Sequence, residues 1–285
     1  MKPQPATGVR SFSRHNGAPR PGSLAAWCRQ SVIEPFLSVL FPPRCVGCGT
    51  FEVHLCDSCA GTLIDAARES CARCGEPGHH PLVSGRCFAC MTRELEYRSA
   101  RSAFRHEGVA RRLVTELKFG GQPVLGRLMG DLARPAFAEF VRSTAPDNAV
   151  FVTWVPAHRS AKRERGYNQA EILARRLVTG SSPLSCGELV LKTTGTRHQK
   201  GLGRAERLSN LRGAFSPHPR LPVKLGLTNC GGEGARYSAI VLVDDVYTTG
   251  ATAAAVSSAL AAESGLPIHV FTFSRAVATA GQGHD

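Results

Sequence analysis

At 285 residues, with an ordinary soluble composition, the chain has room for one large α/β domain and a small second module. Its 35 Lys plus Arg against 22 Asp plus Glu give a formal charge of +13, which suits polyanions, with phosphorylated small molecules and nucleic acid first, although a basic excess spread along the chain also serves solubility. No apolar run approaches the ~18 residues of a membrane span, and residues 1–23 hold no apolar core of a secretory signal, so neither a membrane span nor export is expected.

Residues 1–23 read as a disordered basic tail. Leu24, Trp27, Ile33, Phe36, Leu37 and Leu40 then recur at helical intervals until Pro42-Pro43, which predicts a short amphipathic helix. With the cysteine block that follows it forms a front module over 24–95, and residues 96–285 form the second domain. There, "GVARRLVTELKF" puts Val109, Leu113, Val114 and Leu117 on one face of a helix, and "VLGRLMGDLARPAFAEFV" predicts another. From Ala149 the pattern changes to "AVFVTWV" (strand), "NQAEILARRLV" (helix), "ELVLK" (strand), "YSAIVLV" (strand), "TTGATAAAVSSALAAE" (helix) and "IHVFTFS" (strand). Near-continuous apolar strands alternating with helices predict an α/β fold with a parallel sheet covered on both faces, and ligands outside the carboxyl ends of its strands. Residues 216–236, rich in Pro and Gly, read as a surface loop.

Eight of the eleven cysteines form four C-x-x-C pairs: Cys45/Cys48, Cys56/Cys59, Cys71/Cys74 and Cys87/Cys90. This is metal spacing and implies a reducing compartment, hence cytoplasmic residence. Two pairs per ion give two closed, tetrahedral, structural Zn2+ sites; an iron–sulfur cluster or redox dithiols are the other readings. With eight thiolates and two zinc ions the net charge falls to about +9. Sequential pairing is the local choice and cross-braced pairing the alternative. Gly49 and Gly75, just after the second sulfur of a pair, suit a knuckle with positive φ. His54, His79 and His80 read as surface residues, and Cys28, Cys186 and Cys230 as free thiols.

The stretch "IVLVDDVYTTGAT" follows an apolar strand with two carboxylates, hydroxyls and a glycine. A Walker site needs a Gly-Lys step, which the chain lacks, and a D-x-D-x-T phosphohydrolase needs a carboxylate where Val246 stands. Asp244 and Asp245 offer acceptors to vicinal sugar hydroxyls, while the backbone of Val246, Tyr247, Thr248, Thr249, Gly250 and Ala251, with the Thr248, Thr249 and Thr252 hydroxyls, can cradle a phosphate where a helix starts. A strand ending in an Asx-turn and a Thr-capped helix explains Asp245 and one threonine, but not the whole set.

This stretch closely resembles the binding signature of type I phosphoribosyltransferases, which use 5-phosphoribosyl 1-diphosphate (PRPP). Together with "LFPPRC" before the cysteines, "YRSARSAFRHEGVARRLVTELKFGG", "WVPAHRSAKRERGYNQAEILARRL" and "TTGTRHQKGLGRAERLSNLRGAF", it makes residues 36–275 resemble the ComF family of competence-associated proteins. The resemblance implies a double zinc ribbon before a type I phosphoribosyltransferase fold. It implies that the loop Val155, Pro156, Ala157 and His158 meets pyrophosphate, with Arg165, Asn168 and Gln169 on its rim. It further implies that Arg197, Gln199, Arg204, Arg207 and Asn210 lie in a mobile loop closing over PRPP, and that helices within 97–148 or the zinc module form a hood setting the acceptor. Asp244, Asp245 and Arg165 would carry the reaction, a displacement of diphosphate with Mg2+ neutralising it. Family membership also implies DNA uptake, with single-stranded DNA and recombination proteins as partners. A non-catalytic DNA-binding accessory factor that uses the PRPP site for sensing is the alternative.

Overall fold

The computed structural model describes residues 42–66, 70–77, 82–145, 149–180, 184–193, 211, 213–227 and 237–277. The expected basic tail, the helix over 24–41, Cys28, Cys230, His79, His80 and the expected mobile-loop residues Arg197, Gln199, Arg204, Arg207 and Asn210 lie outside the described residues. Two one-turn helices, α1 (Asp57–Ala60) and α2 (Phe88–Met91), belong to the cysteine-rich front. They are followed by β1 (Ser99–Arg105), α3 (Gly108–Phe119), α4 (Pro123–Thr144), β2 (Val150–Trp154), α5 (Arg159–Arg165) and α6 (Gln169–Val178). The chain continues through β3 (Ser185–Cys186), β4 (Val190–Lys192), β5 (Phe215–Pro217), α7 (Leu221–Leu225), β6 (Ala239–Tyr247), α8 (Ala251–Ser264) and β7 (Ile268–Arg275).

Five strands form one sheet in the order β1-β7-β6-β2-β3, every pair parallel. Side chains of the central strand β6 alternate between two apolar layers, as a two-residue period demands. Val241 and Val243 join Phe271 and Phe273 of β7 beneath α3, α4 and α6, where Leu113, Leu117, Leu125, Met129, Phe137 and Leu173 are buried. Ile240, Leu242 and Val270 face the other way, onto Val256 and Leu260 of α8 and Leu221 and Leu225 of α7. Each such side chain, fully buried, contributes on the order of 1.5–3 kcal/mol, so the two layers hold the strand ends rigidly enough to carry a site.

Three local expectations are corrected, and one helix had no counterpart among them. The segment "ELVLK" does not enter the parallel sheet: Val190–Lys192 pairs antiparallel with Phe215–Pro217, and the place beside β2 goes to Ser185–Cys186. An apolar run says that a strand is buried, and does not name its partner. Within the segment read as helical hood, Ser99–Arg105 forms an edge strand, its alternation hidden because small residues and arginines occupy it. The expected surface loop over 216–236 contains β5 and α7, whose Leu221 and Leu225 are fully buried. Finally, α5 has no buried residue, so no apolar stripe announced it. Helices α3 and α4 complete the core layer on one sheet face; only the C-terminal end of α3 reaches the acidic pair.

Candidate functional site

The eight paired cysteines gather into two groups, Cys45/Cys48/Cys56/Cys59 and Cys71/Cys74/Cys87/Cys90, which settles the pairing as sequential. Sulfur–sulfur separations of 3.7 Å for Cys45–Cys56, Cys48–Cys56 and Cys74–Cys87 match the ~3.8 Å edge of a tetrahedron with zinc–sulfur bonds of about 2.3 Å. Backbone N–H groups support the thiolates, Cys56 N–H donating to Cys45 Sγ at 3.4 Å and Cys87 N–H to Cys71 Sγ at 3.3 Å. Although burial opposes it, such bonds bring Cys45 down to about 6 and Cys71 to about 7. Hydrogen bonding to Cys56 instead pushes Cys59 up to about 12. Four thiolates this close require a cation between them, and a closed S4 set suits Zn2+ in a structural role. His54 stands outside both groups, its imidazole pKa lowered by burial. Cys186 in β3 is a free thiol, pushed up to about 11 by burial.

The second group is built into the sheet. Ala100 N–H of β1 donates to Arg73 carbonyl at 2.8 Å, Arg101 Nη1 donates to Cys71 carbonyl at 2.9 Å, and Arg275 Nη1 donates to Cys74 carbonyl at 2.6 Å. The first group is tied to α3, where Arg112 Nη1 donates to Gly47 carbonyl at 2.5 Å.

At the carboxyl end of β6, Asp244 and Asp245 come next to each other on the central strand of the sheet. Asp245 is buried and ion-paired with Lys118 Nζ at 2.6 Å, across from the last turn of α3. Burial acts to raise its pKa, but the Lys118 ammonium outweighs burial and holds the carboxyl below the usual range. Asp244 receives the Asp245 N–H at 2.9 Å, and burial together with the neighbouring Asp245 charge holds it well above that range. The pair therefore presents the oxygens of two adjacent carboxyl groups, which suit the hydroxyls of a diol.

Asp244 lines a cavity of about 20 Å³ together with Val155, Tyr247, Thr248, Gly250 and Thr252. That is room for about one water, so a sugar phosphate would lie over its mouth. Gly250, at φ 78°, starts α8 in the left-handed conformation, and Ala251 N–H donates to Thr249 Oγ1 at 3.4 Å. A Cβ on Gly250 would stand 2.3 Å from Tyr247 Oη, so both conformation and space require glycine here.

The neighbouring loop leaves β2 through Val155, whose N–H donates to Val243 carbonyl at 3.0 Å, and Pro156. After Ala157, His158 Nδ1 accepts Ser160 N–H at 3.2 Å, which caps α5. Buried Asn168 caps α6 through Oδ1, accepting Ala170 N–H at 3.1 Å, and its Nδ2 donates to Val155 carbonyl at 3.0 Å. Gln169 beside it is also buried. Arg165 at the end of α5 lies over the exposed ring of Phe119, 5.5 Å from its centroid.

Comparison with known proteins adds to this geometry. A double zinc ribbon domain family matches residues 36–91. Competence protein F of Haemophilus influenzae is 25% identical over 221 residues, covering 76% of this chain and 90% of the relative. DNA utilization protein YhgH of Salmonella typhimurium is 25% identical over 221 residues, 78% and 90% of the two chains. Competence protein ComFC of Bacillus subtilis is 25% identical over 205 residues, 70% and 75% of the two. Over most of its length this chain is similar to competence and DNA utilization proteins of the ComF type. Of the residues that the ComF resemblance singled out, the fold brings Asp244, Asp245, the 246–252 turn and the Val155–His158 loop to one end of the sheet. It gives His158 and Asn168 helix-capping bonds, which accounts for both without a ligand. The sequence reading missed Lys118, Arg275 and Tyr97. A lysine ending an amphipathic helix carries no motif, and "LKF" beside the acidic pair becomes legible only through the contact. Among the described residues no helix is long and apolar enough to cross a membrane.

Proposed function

We propose that this chain is a ComF-type protein that acts in DNA uptake or utilisation and that its sheet domain binds PRPP or a related ribose 5-phosphate compound, transferring the phosphoribosyl group to an acceptor. The observation that carries this reading is the adjacent Asp244 and Asp245 at the carboxyl end of the central strand, compensated by Lys118 and followed by the glycine-started turn into α8. The carboxyl groups grip the ribose hydroxyls, and the turn from Tyr247 to Thr252 receives the 5-phosphate. The Val155–His158 loop and Arg165 face the diphosphate. Mg2+ bound with PRPP would neutralise the diphosphate. In the transfer the anomeric carbon–oxygen bond breaks with its electron pair leaving on diphosphate, while the acceptor lone pair forms the new bond and its proton passes to water. Cytoplasmic residence, and a boundary between ribbon and sheet domain near residue 96, belong to the same reading.

Calorimetry with PRPP and Mg2+ tests it. Asp245→Asn should weaken binding about 10- to 100-fold, the worth of a charge-assisted hydrogen bond. Equal affinity in wild type and variant removes the site assignment.

The names of the relatives and the formal charge of +13 favour a second reading, a DNA-binding accessory factor that uses the same site for sensing. In that case single-strand affinity falls with log salt by about 0.7 per phosphate contacted. Absent or salt-insensitive binding removes it.

A further inference from the structure

Arg275, the last residue of β7, is 3% exposed, and among the described residues its guanidinium meets Cys74 and Glu76 at the second cysteine group and Tyr247 at the turn. On one side Nη1 donates to Cys74 carbonyl at 2.6 Å, Nη2 lies 3.9 Å from Cys74 Sγ, and Nε donates to Glu76 Oε2 at 3.0 Å. On the other side the guanidinium lies over the ring of Tyr247, 4.2 Å from its centroid. Tyr247 opens the threonine turn, and its hydroxyl bonds to that of Tyr97 and stands against Gly250. Ala276 N–H donates to Tyr247 carbonyl at 2.9 Å, closing the contact on the backbone side.

We propose that Arg275 couples the second zinc cluster to the phosphate turn, so that metal at Cys71, Cys74, Cys87 and Cys90 and a ligand on residues 247–252 stabilise one another, with the first cluster outside the coupling. Four thiolates around a divalent ion carry a net charge of −2, which a buried guanidinium complements. Without the ion the knuckle loses the bonds that fold it, and Cys74 and Glu76 leave Arg275 together. A buried cation stripped of partners is costly, so Arg275 turns toward solvent and the Tyr247 ring loses the surface that seats it. The first cluster packs elsewhere, against α3 and the core layer through Val46, Leu55 and Cys59 with Arg112 bonded to Gly47 carbonyl, and none of the described bonds of Arg275 reaches it. Because coupling is reciprocal, a ligand on the turn slows zinc loss from the second cluster and leaves the first unaffected.

Backbone hydrogen exchange in the full zinc-loaded chain tests this without any ligand. Exchange over 246–252 should rise about tenfold or more in Cys71→Ser and Arg275→Met, rise less in Arg275→Lys, and stay at the wild-type level in Cys48→Ser, with 150–154 unchanged throughout. Wild-type exchange over 246–252 in Cys71→Ser overturns the proposal, as does an equal rise in Cys48→Ser or a rise that spreads to 150–154. If Cys71→Ser does not fold, stripping the remaining zinc equivalent from Cys48→Ser with a chelator isolates the second cluster's effect, and exchange over 246–252 should then rise in the same way. A second arm, which rests on the phosphoribosyl reading, follows zinc release to a chromogenic chelator with and without ribose 5-phosphate. The sugar phosphate should slow one of two zinc equivalents in wild type and neither in Arg275→Met. If exchange behaves as stated but the sugar phosphate slows neither, the coupling stands and the ligand reading fails; slowing of both equivalents overturns the selectivity for the second cluster.

Discussion

The two cysteine groups share a C-x-x-C design and a knuckle glycine, yet the fold uses them differently. Gly49 of the first has φ 81° with open space around it, whereas Gly75 of the second has φ 72° and sits against β1, where an added Cβ would stand 2.6 Å from Ala100 carbonyl oxygen. In the first group Cys45 is buried and Cys48 exposed; in the second Cys71, Cys74 and Cys90 are all buried. The first group packs against α3 and its core layer through Val46, Leu55 and Cys59, and the second forms part of the sheet's edge, held by Arg101 and Arg275. The same local chemistry braces a helix or a sheet edge according to what packs against it.

Removing one sulfur from each group gives the largest expected contrast. Cys71→Ser should lower the sheet domain's thermal midpoint by on the order of 10 °C, because at least about 3 kcal/mol is lost when Arg275 is deprived of its partners. Cys48→Ser should leave that midpoint within a few degrees, with one zinc equivalent lost in each variant by elemental analysis. Matching midpoints would dissolve the distinction. The glycines sharpen it at smaller scale. Gly49→Ala should cost about 1–2 kcal/mol in denaturant unfolding of the ribbon, the left-handed strain alone, and Gly75→Ala clearly more, because the backbone oxygen it meets cannot swing aside.

The smallest effect concerns pH. Burial, with Arg98 nearby, holds His269 of β7 down to about 4, and its Nδ1 lies 2.8 Å from Ser99 Oγ. Protonation therefore favours the unfolded chain, so this stabilising contribution is complete above the unfolded value near 6.5 and is lost as pH falls from about 6.5 through about 4. In His269→Asn the gap between thermal midpoints at pH 7 and pH 5 should narrow, zinc loss being common to both proteins. An unchanged gap would assign the acid sensitivity to the clusters.

Much of this was legible from residue order. Val109, Leu113, Val114 and Leu117 marked α3 because a buried helix face must recur with its turn, and all four are buried. The β6 run was legible because a strand covered on both faces is apolar throughout, and the halt at Asp244-Asp245 marked where the covering ends. The cysteine pairs announced metal because ligands from one knuckle must be near neighbours in sequence. Illegible were β1, where arginines fill the alternate positions, and the true partner of Val190–Lys192, since strand pairing is a choice among distant segments.

By itself, then, the order of residues determined the two S4 knuckles, the parallel α/β layering and the acidic pair before a threonine turn, all properties of near neighbours along the chain. Only the tertiary structure decided that Lys118 compensates Asp245 from 127 positions away and that Arg275 sits between Cys74 and Tyr247. Those pairings depend on which surfaces pack together, and charge compensation in a low-dielectric interior is decided by distance in space, where sequence separation has no say.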